Sequence, residues 1–551
     1  MKKILRMVQK IQLIWTTYKR YIYDIYMVCE LCDEYLDEYY NIDPIINDFF
    51  MKEEWKKNDY QPNIYSKIFN KKLETLYKKY LNKLKKKEEL TFYDKILKRD
   101  IEYSLNNNHS LIRKYMPIDH INNILIQYSL DASGKGYYKF RNKCDFNNFL
   151  SRLGSLDKIT TEIIMKMRDG IKNGVTLYFR TVDKIINIIK GIIKDKSYQN
   201  SKVLISKRKW NETIDKYLVK NLIKLNNFLI NEYYKKCINK CGLHNYKGGK
   251  DLYKNIVKME TFQSATPHNL HKLGLSELKE CNRLKDKLRK KLNVTNIDEF
   301  IINSKGDFYN KEEDIIKDLN KIQKDIINNV YSKNFNGKIG EDDKYDIKSI
   351  ELRDSPHYAY YLSGDLKNEN KGTFFINVSR PMDINKNELY ILSLHEGIPG
   401  HHYQIHYNNN SYSPDYIKGN NYDAYSEGWA LYCESLGDYK NHKCEYYRIQ
   451  YNIHRSLRLI IDTGIHYYGW DYDRCFKLMK ENLMYPDKYI HNELLRYIEL
   501  PGQALTYKVG EKTIKYLRDV YLKEGYSIKD FHELIMGIGP CPLDILVNEL
   551  L

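Results

Sequence analysis

The sequence predicts a mainly α-helical protein that carries one small β element. The chain has 551 residues, of which 42% are hydrophobic, so it can bury a sizeable core. Proline interrupts helix interiors. None of the 12 prolines lies between Pro117 and Pro267 or between Pro267 and Pro356. We therefore expect long helices through the first two-thirds of the chain.

Apolar residues recur at helical spacing within this proline-poor region, as expected for helices that face a core. Two such stripes are Val182, Ile185, Ile186, Ile189, Ile192 and Ile193, and then Leu218, Leu222, Leu225 and Leu229. A chain of this length could hold three or four domains of about 150 residues each. No repeat or low-complexity linker divides the sequence, so we expect one continuous structural unit.

A short β-strand is predicted at residues 373–378. The segment Thr-Phe-Phe-Ile-Asn-Val is rich in β-branched and aromatic residues. It is bounded by Gly372 on one side and by a turn at Arg380 and Pro381 on the other. This strand ends shortly before a cluster of histidines and would be a small β element in a helical protein.

The charge balance is strongly basic, with 90 Lys+Arg against 72 Asp+Glu and a net charge of +18. Lysine, isoleucine, asparagine and the 52 tyrosines are all abundant, which is typical of a coding bias toward A and T. We interpret the charge as a solvated surface; a nucleic-acid or anionic-lipid partner is the open alternative. The charge by itself identifies no partner.

Cysteine usage and the start of the chain indicate where the protein resides. Ten cysteines at irregular spacing are too few for a disulfide framework, which favours a reducing compartment. Cys29 and Cys32, like Cys237 and Cys241, lack a second ligand pair at zinc-finger spacing, so we expect buried thiols.

Residues 1–29 have an amphipathic helical pattern rather than a signal sequence, and no segment is apolar enough to span a membrane. We predict a cytoplasmic or otherwise intracellular protein.

Histidines concentrate in the C-terminal quarter, where nine of the 15 lie between residues 395 and 532. His395 is followed directly by Glu396, as in hydrolytic zinc sites with the pattern H-E-x-x-H. In such sites two imidazoles bind the metal and the adjacent glutamate takes a proton from water. Here Pro399 occupies the position of the second histidine, and His401 and His402 follow it.

The spacing of these histidines excludes a straight helix as a metal site. His401 would lie about 9 Å along the axis from His395, and His402 about 10.5 Å. Two nitrogens that bind one zinc ion at about 2 Å must lie within roughly 3.5 Å of each other. Pro399 and Gly400 can break the helix and bring His401 back toward His395. The alternative is a Pro-Gly turn flanked by surface histidines.

A third metal ligand is predicted at Glu427, in a segment of helical character. Three protein ligands that include a carboxylate leave a fourth position open for water, as catalytic zinc requires. The alternative for Glu427 is a solvated helix residue.

Two later segments place polar groups in apolar surroundings. Asp462 and His466 lie four residues apart on one helical face, and Arg496 and Tyr497 precede a Pro-Gly break. Such groups could stabilise a tetrahedral oxyanion or bind a peptide carboxylate. Each could equally belong to a buried structural pair.

These residues, in this order, resemble the bacterial family catalogued as domain of unknown function 885, and the resemblance covers most of the chain. The strongest motifs are residues 395–404, 426–432 and 462–466, Arg496-Tyr497 with residues 501–504, and residues 531–533 with 542–543. Weaker matches lie at residues 149–153, 266–277 and 360–377.

The resemblance implies a helical zinc metallopeptidase related to the thimet-oligopeptidase and angiotensin-converting-enzyme groups. It favours His401 over His402 as the second ligand, because the H-E-x-G-H of those groups resembles this motif with two residues inserted. It also implies that the strand at residues 373–378 is a sheet edge that pairs with an extended peptide.

Together these observations predict a zinc-dependent peptidase that holds one Zn²⁺ ion through His395, His401 and Glu427. Glu396 is the expected general base, and contacts to the transition state or to a substrate carboxylate are expected from His466, Arg496 and Tyr497. Residues 1–350 would form one wall of the cleft, and residues 351–551 would carry the metal site. Two alternatives stay open: a catalytically silent scaffold that binds nucleic acid, and a hydrolase of non-peptide amides or esters.

Overall fold

Helices form most of the regular structure, which confirms the predicted mainly α-helical class with a small β element. The structure, a computed structural model, describes residues 30–46, 48, 59–107, 110–136, 138–199, 202–350, 358–364 and 371–551. The amphipathic helix predicted for residues 1–29, and Cys29 with it, lie outside the described residues.

The helices before the sheet are α1 (Glu30–Ile42), α2 (Lys67–Lys85), α3 (Phe92–Asn107), α4 (Leu111–Tyr115), α5 (Ile124–Ala132), α6 (Lys143–Leu153), α7 (Leu156–Lys172), α8 (Phe179–Asp195), α9 (Lys207–Thr213), α10 (Lys220–Phe228), α11 (Gly249–Glu260), α12 (Pro267–Lys291), α13 (Ile297–Ile302), α14 (Glu312–Ile326) and α15 (Ser332–Asn334). The helices after it are α16 (Lys386–Glu396), α17 (His401–Asn409), α18 (Asp415–Gly419), α19 (Asp423–Glu434), α20 (His442–Thr463), α21 (Tyr472–Asn482), α22 (Asp487–Glu499), α23 (Gln503–Lys523), α24 (Ile528–Ile538) and α25 (Leu543–Leu550). Wider π-helical turns lie at Ile214–Val219, Leu229–Tyr233, Ile327–Tyr331 and Gly464–Tyr468, and 3₁₀ turns at Pro44–Ile46, Tyr234–Lys236, Leu243–Asn245, Lys305–Asp307 and Pro381–Asp383.

Both predicted apolar stripes face the interior. The first lies on α8, and its residues Val182, Ile185, Ile186, Ile189 and Ile192 are buried. The second runs through α10 and the two π turns that flank it, and all four of its leucines are buried. The 3.6-residue period therefore identified these helices correctly.

Two helix pairs in close contact frame the C-terminal region. Helix α19 packs on α23 where two glycines meet: a Cβ at Gly428 would lie 2.5 Å from the Cα of Gly510. Helix α12 packs on α20, and a Cβ at Gly274 would lie 2.8 Å from side-chain atoms of Leu459 and Ile460. These close approaches fix the relative position of the helices that carry polar residues of the site described below.

The small sheet has three strands in the order β1, β3, β2. Strand β1 (Asp346–Ser349) is parallel to β3 (Thr373–Ile376), and β2 (Ala359–Leu362) is antiparallel to it. The prediction that residues 373–378 form a sheet edge is therefore wrong, because β3 pairs on both sides and is the central strand. Its main-chain groups are used within the sheet and cannot also pair with an extended peptide.

The largest hydrophobic core contains residues from both parts of the chain. It includes Leu73 and Ile96 of the N-terminal helices together with Trp429, Leu505 and Ile535 of the C-terminal ones. The division near residue 350 stays a prediction. In the part of the chain that the structure describes, no helix is both long and apolar enough to cross a membrane.

Candidate metal centre

The helix that carries His395 breaks directly after Glu396, as the Pro-Gly pair predicted. Helix α16 ends at Glu396, the Ile398–Pro399 peptide is cis, and α17 begins at His401. Gly400 is needed for the close approach of the turn, because a Cβ there would lie 1.9 Å from the carbonyl oxygen of His395. The four-residue turn thus folds the chain back over the end of α16.

This turn brings His401 to His395, and Glu427 of α19 joins them. The Nε2 atoms of His395 and His401 lie 3.5 and 3.4 Å from Oε2 of Glu427. The candidate ligand atoms of the three residues all lie within 4.8 Å of one another, and no other such group of ligand-type side chains occurs among the described residues. Two imidazoles and one carboxylate at this separation match the protein ligands of a catalytic zinc site.

Hydrogen bonds from α19 hold the turn in place. The indole Nε1 of Trp429 donates to the carbonyl oxygen of Pro399 at 2.8 Å, and the thiol of Cys433 donates to the same oxygen at 3.4 Å. Because Trp429 lies two residues after Glu427, the helix that supplies the carboxylate also fixes the turn that supplies His401.

Polar neighbours orient two of the three side chains. The Nδ1 of His395 lies 2.9 Å from Oε1 of Glu434, which is buried. This carboxylate oxygen accepts the hydrogen of Nδ1, so Nε2, once it gives up its proton, is the nitrogen that can bind a metal ion. The hydroxyl of Tyr507 donates to Oε1 of Glu427 at 2.9 Å. The other oxygen of Glu427, Oε2, is buried and has no hydrogen-bond partner among the described residues.

This arrangement fits a divalent cation, since a buried carboxylate oxygen and an imidazole lone pair are directed to the same place. Burial alone would lower the pKa of His395, but the neighbouring carboxylates of Glu427 and Glu434 outweigh burial and raise its pKa to about 9. Burial alone would raise the pKa of Glu427, but the charges of His401 and His395 hold its pKa well below the usual range. The carboxylates therefore favour positive charge at this point, which a metal ion supplies as well as a proton does.

Glu396 adjoins this cluster as the last residue of α16. Its side chain is buried, and its charge is near enough to contribute to the raised pKa of His395. The phenol of Tyr345 lies beside the next residue, Gly397, because a Cβ there would lie 2.2 Å from that hydroxyl oxygen. No hydrogen bond to the Glu396 carboxylate comes from any residue in the described ranges, so its oxygens are available to accept a proton.

His402 points away from the cluster. Its Nδ1 bonds with the hydroxyl of Tyr361 at 2.9 Å, and its Nε2 bonds with the backbone carbonyl of Asp343 at 2.7 Å. Both ring nitrogens are thus used on the side of the sheet. Of the two neighbouring histidines, the structure brings His401 to His395.

His466 lies in a fully buried network of its own. Its Nδ1 accepts a hydrogen bond from the backbone N–H of Leu243 at 3.2 Å, and its Nε2 bonds with the backbone carbonyl of Tyr497 at 2.8 Å. Its ring stacks on Tyr253. Both ring nitrogens are thus used in structural contacts. His466 has no N–H left to donate to an oxyanion, as its expected role in catalysis would require.

Tyr497 is similarly committed to structural contacts. Its hydroxyl donates to Oε2 of Glu493 at 2.8 Å and lies 3.0 Å from Nε2 of His454. It also accepts a hydrogen bond from Nε of Arg458 at 3.2 Å. The Tyr497 hydroxyl is therefore held in a structural network and is not directed at the three ligand-type side chains.

Arg496 reaches the cluster through Tyr507. Its Nη2 donates to the hydroxyl of Tyr507 at 3.0 Å and to Oε1 of Gln503 at 2.9 Å. Tyr507 in turn donates to Glu427. Among the three residues expected to contact a substrate, Arg496 is the one that the structure links to the three ligand-type side chains.

Sequence reasoning missed Glu434 and Tyr507. A signal existed for Glu434, which lies seven residues after Glu427 and so on the same face of one helix. No short-range pattern marks Tyr507, because its contact with Glu427 depends on the packing of α23 against α19.

The fold and the site together define a helical protein with a candidate metal centre in its C-terminal part. The chain belongs to the family described as bacterial protein of unknown function (DUF885), which matches residues 53–550. No protein of curated function matches the chain.

Two solved structures share the fold. One is described as a "putative lipoprotein" from Colwellia psychrerythraea, with a TM-score of 0.84, 19% identity, and coverage of 96% of this chain and 98% of that chain. The other is described as a "putative lipoprotein of unknown function" from Shewanella oneidensis, with a TM-score of 0.72, 16% identity, and coverage of 94% and 98%.

These relatives correct the expected cytoplasmic or intracellular location. Both structures of the same fold come from proteins described as putative lipoproteins, which contradicts that expectation. A lipid anchor is attached covalently and needs no membrane-spanning helix. The lack of an apolar segment in the sequence was therefore not a sound reason to expect an intracellular protein.

Proposed function

We propose that this protein is a zinc-dependent peptidase. The observation that carries the proposal is the convergence of His395, His401 and Glu427 around a buried carboxylate oxygen that has no hydrogen-bond partner in the described ranges. The adjacent Glu396 completes the set of residues that zinc hydrolases use. The similarity of residues 395–401 to the motif of the H-E-x-x-H peptidases supports the same chemistry.

Zinc, when bound, would polarise the carbonyl of the bond to be cleaved and lower the pKa of water to about 7. His395 and His401 would hold the ion through Nε2, and Glu427 through Oε2. Glu434 keeps the hydrogen of His395 on Nδ1, and Tyr507 fixes the rotation of the Glu427 carboxylate. Glu396 would take the proton from the attacking water and deliver it to the leaving amine.

Three ligands rather than four favour a catalytic over a structural ion. Structural zinc sites are closed by four protein ligands, and catalytic sites keep one position for water or substrate. His402 and His466, which could have supplied a fourth ligand, are held elsewhere by hydrogen bonds at both ring nitrogens. The donor set around the buried oxygen is therefore the catalytic type.

Metal analysis combined with peptide hydrolysis tests this function. The wild type is expected to hold one zinc ion per chain and to cleave peptides. Glu396→Gln should keep the zinc and lose at least 100-fold in the rate of cleavage, because it removes the proton acceptor but no ligand. His401→Ala should lose the zinc, and His268→Ala, which changes a histidine at the exposed Tyr468 contact, should change neither quantity.

Three outcomes would contradict the proposal in different ways. Unchanged cleavage by Glu396→Gln would remove this residue from its role. Hydrolysis of esters or non-peptide amides without peptide cleavage would keep the site and change the substrate class. A protein that binds no zinc and cleaves nothing, but binds nucleic acid in a salt-sensitive manner, would be a scaffold.

A further inference from the structure

Two arginines meet at Tyr507, directly behind the candidate ligand Glu427. Arg496 donates a hydrogen bond from Nη2 to the Tyr507 hydroxyl, and the guanidinium of Arg458 lies over the Tyr507 ring at 4.2 Å from its centroid. Arg458 belongs to α20 and Arg496 to α22, so separate helices direct both cations to one phenol. That phenol is one hydrogen bond away from Glu427.

Among the residues that the structure describes, one carboxylate contacts these two cations directly. Glu493 accepts a hydrogen bond from Nη2 of Arg458 at 3.0 Å and lies 3.7 Å from Nη1 of Arg496. Burial opposes ionisation of Glu493, but the charge of Arg458 and the imidazole of His454, whose Nε2 lies 3.5 Å from Oε2, outweigh burial and hold its pKa well below the usual range. Asp423 is reached from Arg496 only through Gln503, whose amide donates to it. One positive charge of the pair is therefore not matched by a contacting carboxylate.

Both guanidinium groups also keep donors that are not used. Nη1 of Arg458 is buried, on a residue that is only 5% exposed, and has no hydrogen-bond partner in the described part of the chain. Nη1 of Arg496 lies 3.7 Å from Oε1 of Glu493, which is too far for a hydrogen bond. The Arg496 side chain is 28% exposed, so it can be reached from solvent. An unpaired buried donor is costly in a protein interior and marks a place where an acceptor is expected.

We propose that Arg496, with Arg458 behind it, binds the C-terminal carboxylate of the peptide substrate, so that the protein acts as a carboxypeptidase that removes short C-terminal fragments. This inference rests on the proposed function. A carboxylate carries one negative charge, which equals the unmatched positive charge, and guanidinium groups bind carboxylates with charge-assisted hydrogen bonds.

The position of Arg496 limits the length of the fragment that is released. Only Tyr507 lies between its Nη2 and the Glu427 carboxylate. A residue of an extended chain spans at most about 3.6 Å. A carboxylate bound at Arg496 therefore belongs to the first or second residue after the bond that lies at the metal. Hydrolysis of that bond consumes one water and gives a shortened peptide with a new carboxylate and a free amino acid or dipeptide with a new amine.

The test compares two forms of the same short peptides, one with a free C-terminal carboxylate and one with a C-terminal amide. The zinc-loaded wild type should cleave the free acids at least tenfold more efficiently and release one or two residues, as identified by mass spectrometry. Binding of both forms to zinc-loaded Glu396→Gln, measured by calorimetry, should show the same preference without any turnover.

Variants then assign the preference to Arg496. Arg496→Gln should keep its zinc and lose most of the preference for the free acid, chiefly through KM. Tyr507→Phe removes the hydroxyl that contacts both Glu427 and Arg496, so it should weaken zinc binding and reduce the preference less than Arg496→Gln does. Arg208→Gln, which removes an exposed guanidinium paired with Glu212, is the matched control and should behave like the wild type.

The outcomes separate the two proposals. Equal cleavage of acids and amides, or cleavage at internal bonds of long peptides, would overturn the carboxypeptidase inference and leave the zinc peptidase intact. A preference that survives in Arg496→Gln would overturn the assignment to this residue. If the zinc-loaded wild type cleaves neither form, the proposed function fails and this inference fails with it.

Discussion

At the scale of single residues, Glu434 determines how His395 can act as a ligand. Its carboxylate accepts the Nδ1 hydrogen, so the lone pair of Nε2 is directed at the position shared with His401 and Glu427. A negative charge behind an imidazole also makes the ring a stronger electron donor. Nη2 of Arg455 lies 3.6 Å from the same oxygen, so the positive charge of Arg455 compensates part of the negative charge of this buried carboxylate.

We expect Glu434→Gln to weaken zinc binding by about 10- to 100-fold, because the neutral amide can accept the same hydrogen bond but supplies no charge. Competition with a chelator of known affinity measures the effect. Glu212→Gln, a change at an exposed ion pair, is the control. Unchanged zinc affinity in Glu434→Gln would show that Glu434 orients His395 but that its negative charge does not strengthen zinc binding.

Residues of the site could be predicted where their chemistry is local in the sequence. His395, Glu396 and His401 lie within seven positions, and the break between them follows from one proline and one glycine. The contacts of His466 and Tyr497 could not be predicted in this way, because an isolated polar residue in an apolar helix fits a structural network and a reaction centre equally well. Their partners come from distant segments, such as Leu243 for His466.

At the scale of elements, the turn between α16 and α17 and the helix α19 act as one unit. The carbonyl of Pro399 accepts hydrogen bonds from Trp429 and Cys433, so the turn cannot shift without breaking contacts to α19. Gly400 allows the chain to pass close to the last carbonyls of α16. Any side chain at this position would separate His401 from His395.

Substitution of Gly400 by alanine should therefore lower zinc affinity by more than tenfold and destabilise the fold, because the new Cβ would lie 1.9 Å from the carbonyl oxygen of His395. Gly191→Ala is the matched control: Gly191 lies within α8 and has nothing within 4 Å of the added Cβ. That change should stabilise the protein by about 0.5–1 kcal/mol. Chelator competition and thermal unfolding of the zinc-free proteins measure the two effects.

The sheet shows that the sequence of a strand can predict the strand itself but not its position in the sheet. The β-branched and aromatic residues of β3 marked it as a strand, and the structure confirms a strand at Thr373–Ile376. Whether it lies at an edge depends on other segments, and β1, with its sequence Asp-Ile-Lys-Ser, has no strong strand signal. A segment with low β propensity, such as β1, can still pair with β3 when the packing of the fold places it there. The sequence of β3 alone cannot predict such a partner.

At the scale of the whole molecule, buried carboxyl groups link stability to pH. Burial, with the charge of Asp119, raises the pKa of Glu499 to about 8. Burial also raises the pKa values of Asp462 and Glu260 to about 7. Such groups keep their protons in the folded state at pH values where the unfolded chain has lost them. Their contribution to stability is therefore greatest below about pH 4.5 and is lost as the pH rises toward 8.

The free energy of unfolding of the zinc-free protein should accordingly fall between about pH 6.5 and pH 8, where Glu499 alone contributes up to about 1.4 kcal/mol per pH unit. Below about pH 6.5, buried histidines such as His454 and His466, whose pKa values burial lowers, act in the opposite direction. Glu499→Gln keeps an acceptor for the Thr181 hydroxyl and cannot ionise, so its dependence on pH should be shallower. Denaturant titrations at several pH values measure this. A slope equal to that of the wild type, with Glu212→Gln as the reference, would show that Glu499 does not keep its proton.

The break after Glu396 also sets how relatives with the same arrangement can be found in genomes. A search restricted to H-E-x-x-H passes over this chain, although two histidines and a glutamate converge on one point. The spacing that this geometry permits is H-E-x-x-x-G-H, in which the glycine is required by the close passage of the chain over a carbonyl oxygen. A tryptophan two residues after the third ligand, as Trp429 follows Glu427, is a further criterion, because its indole donates a hydrogen bond to the turn between the two histidines. Bacterial proteins without an assigned role that satisfy both conditions are the ones in which to look for the same metal chemistry.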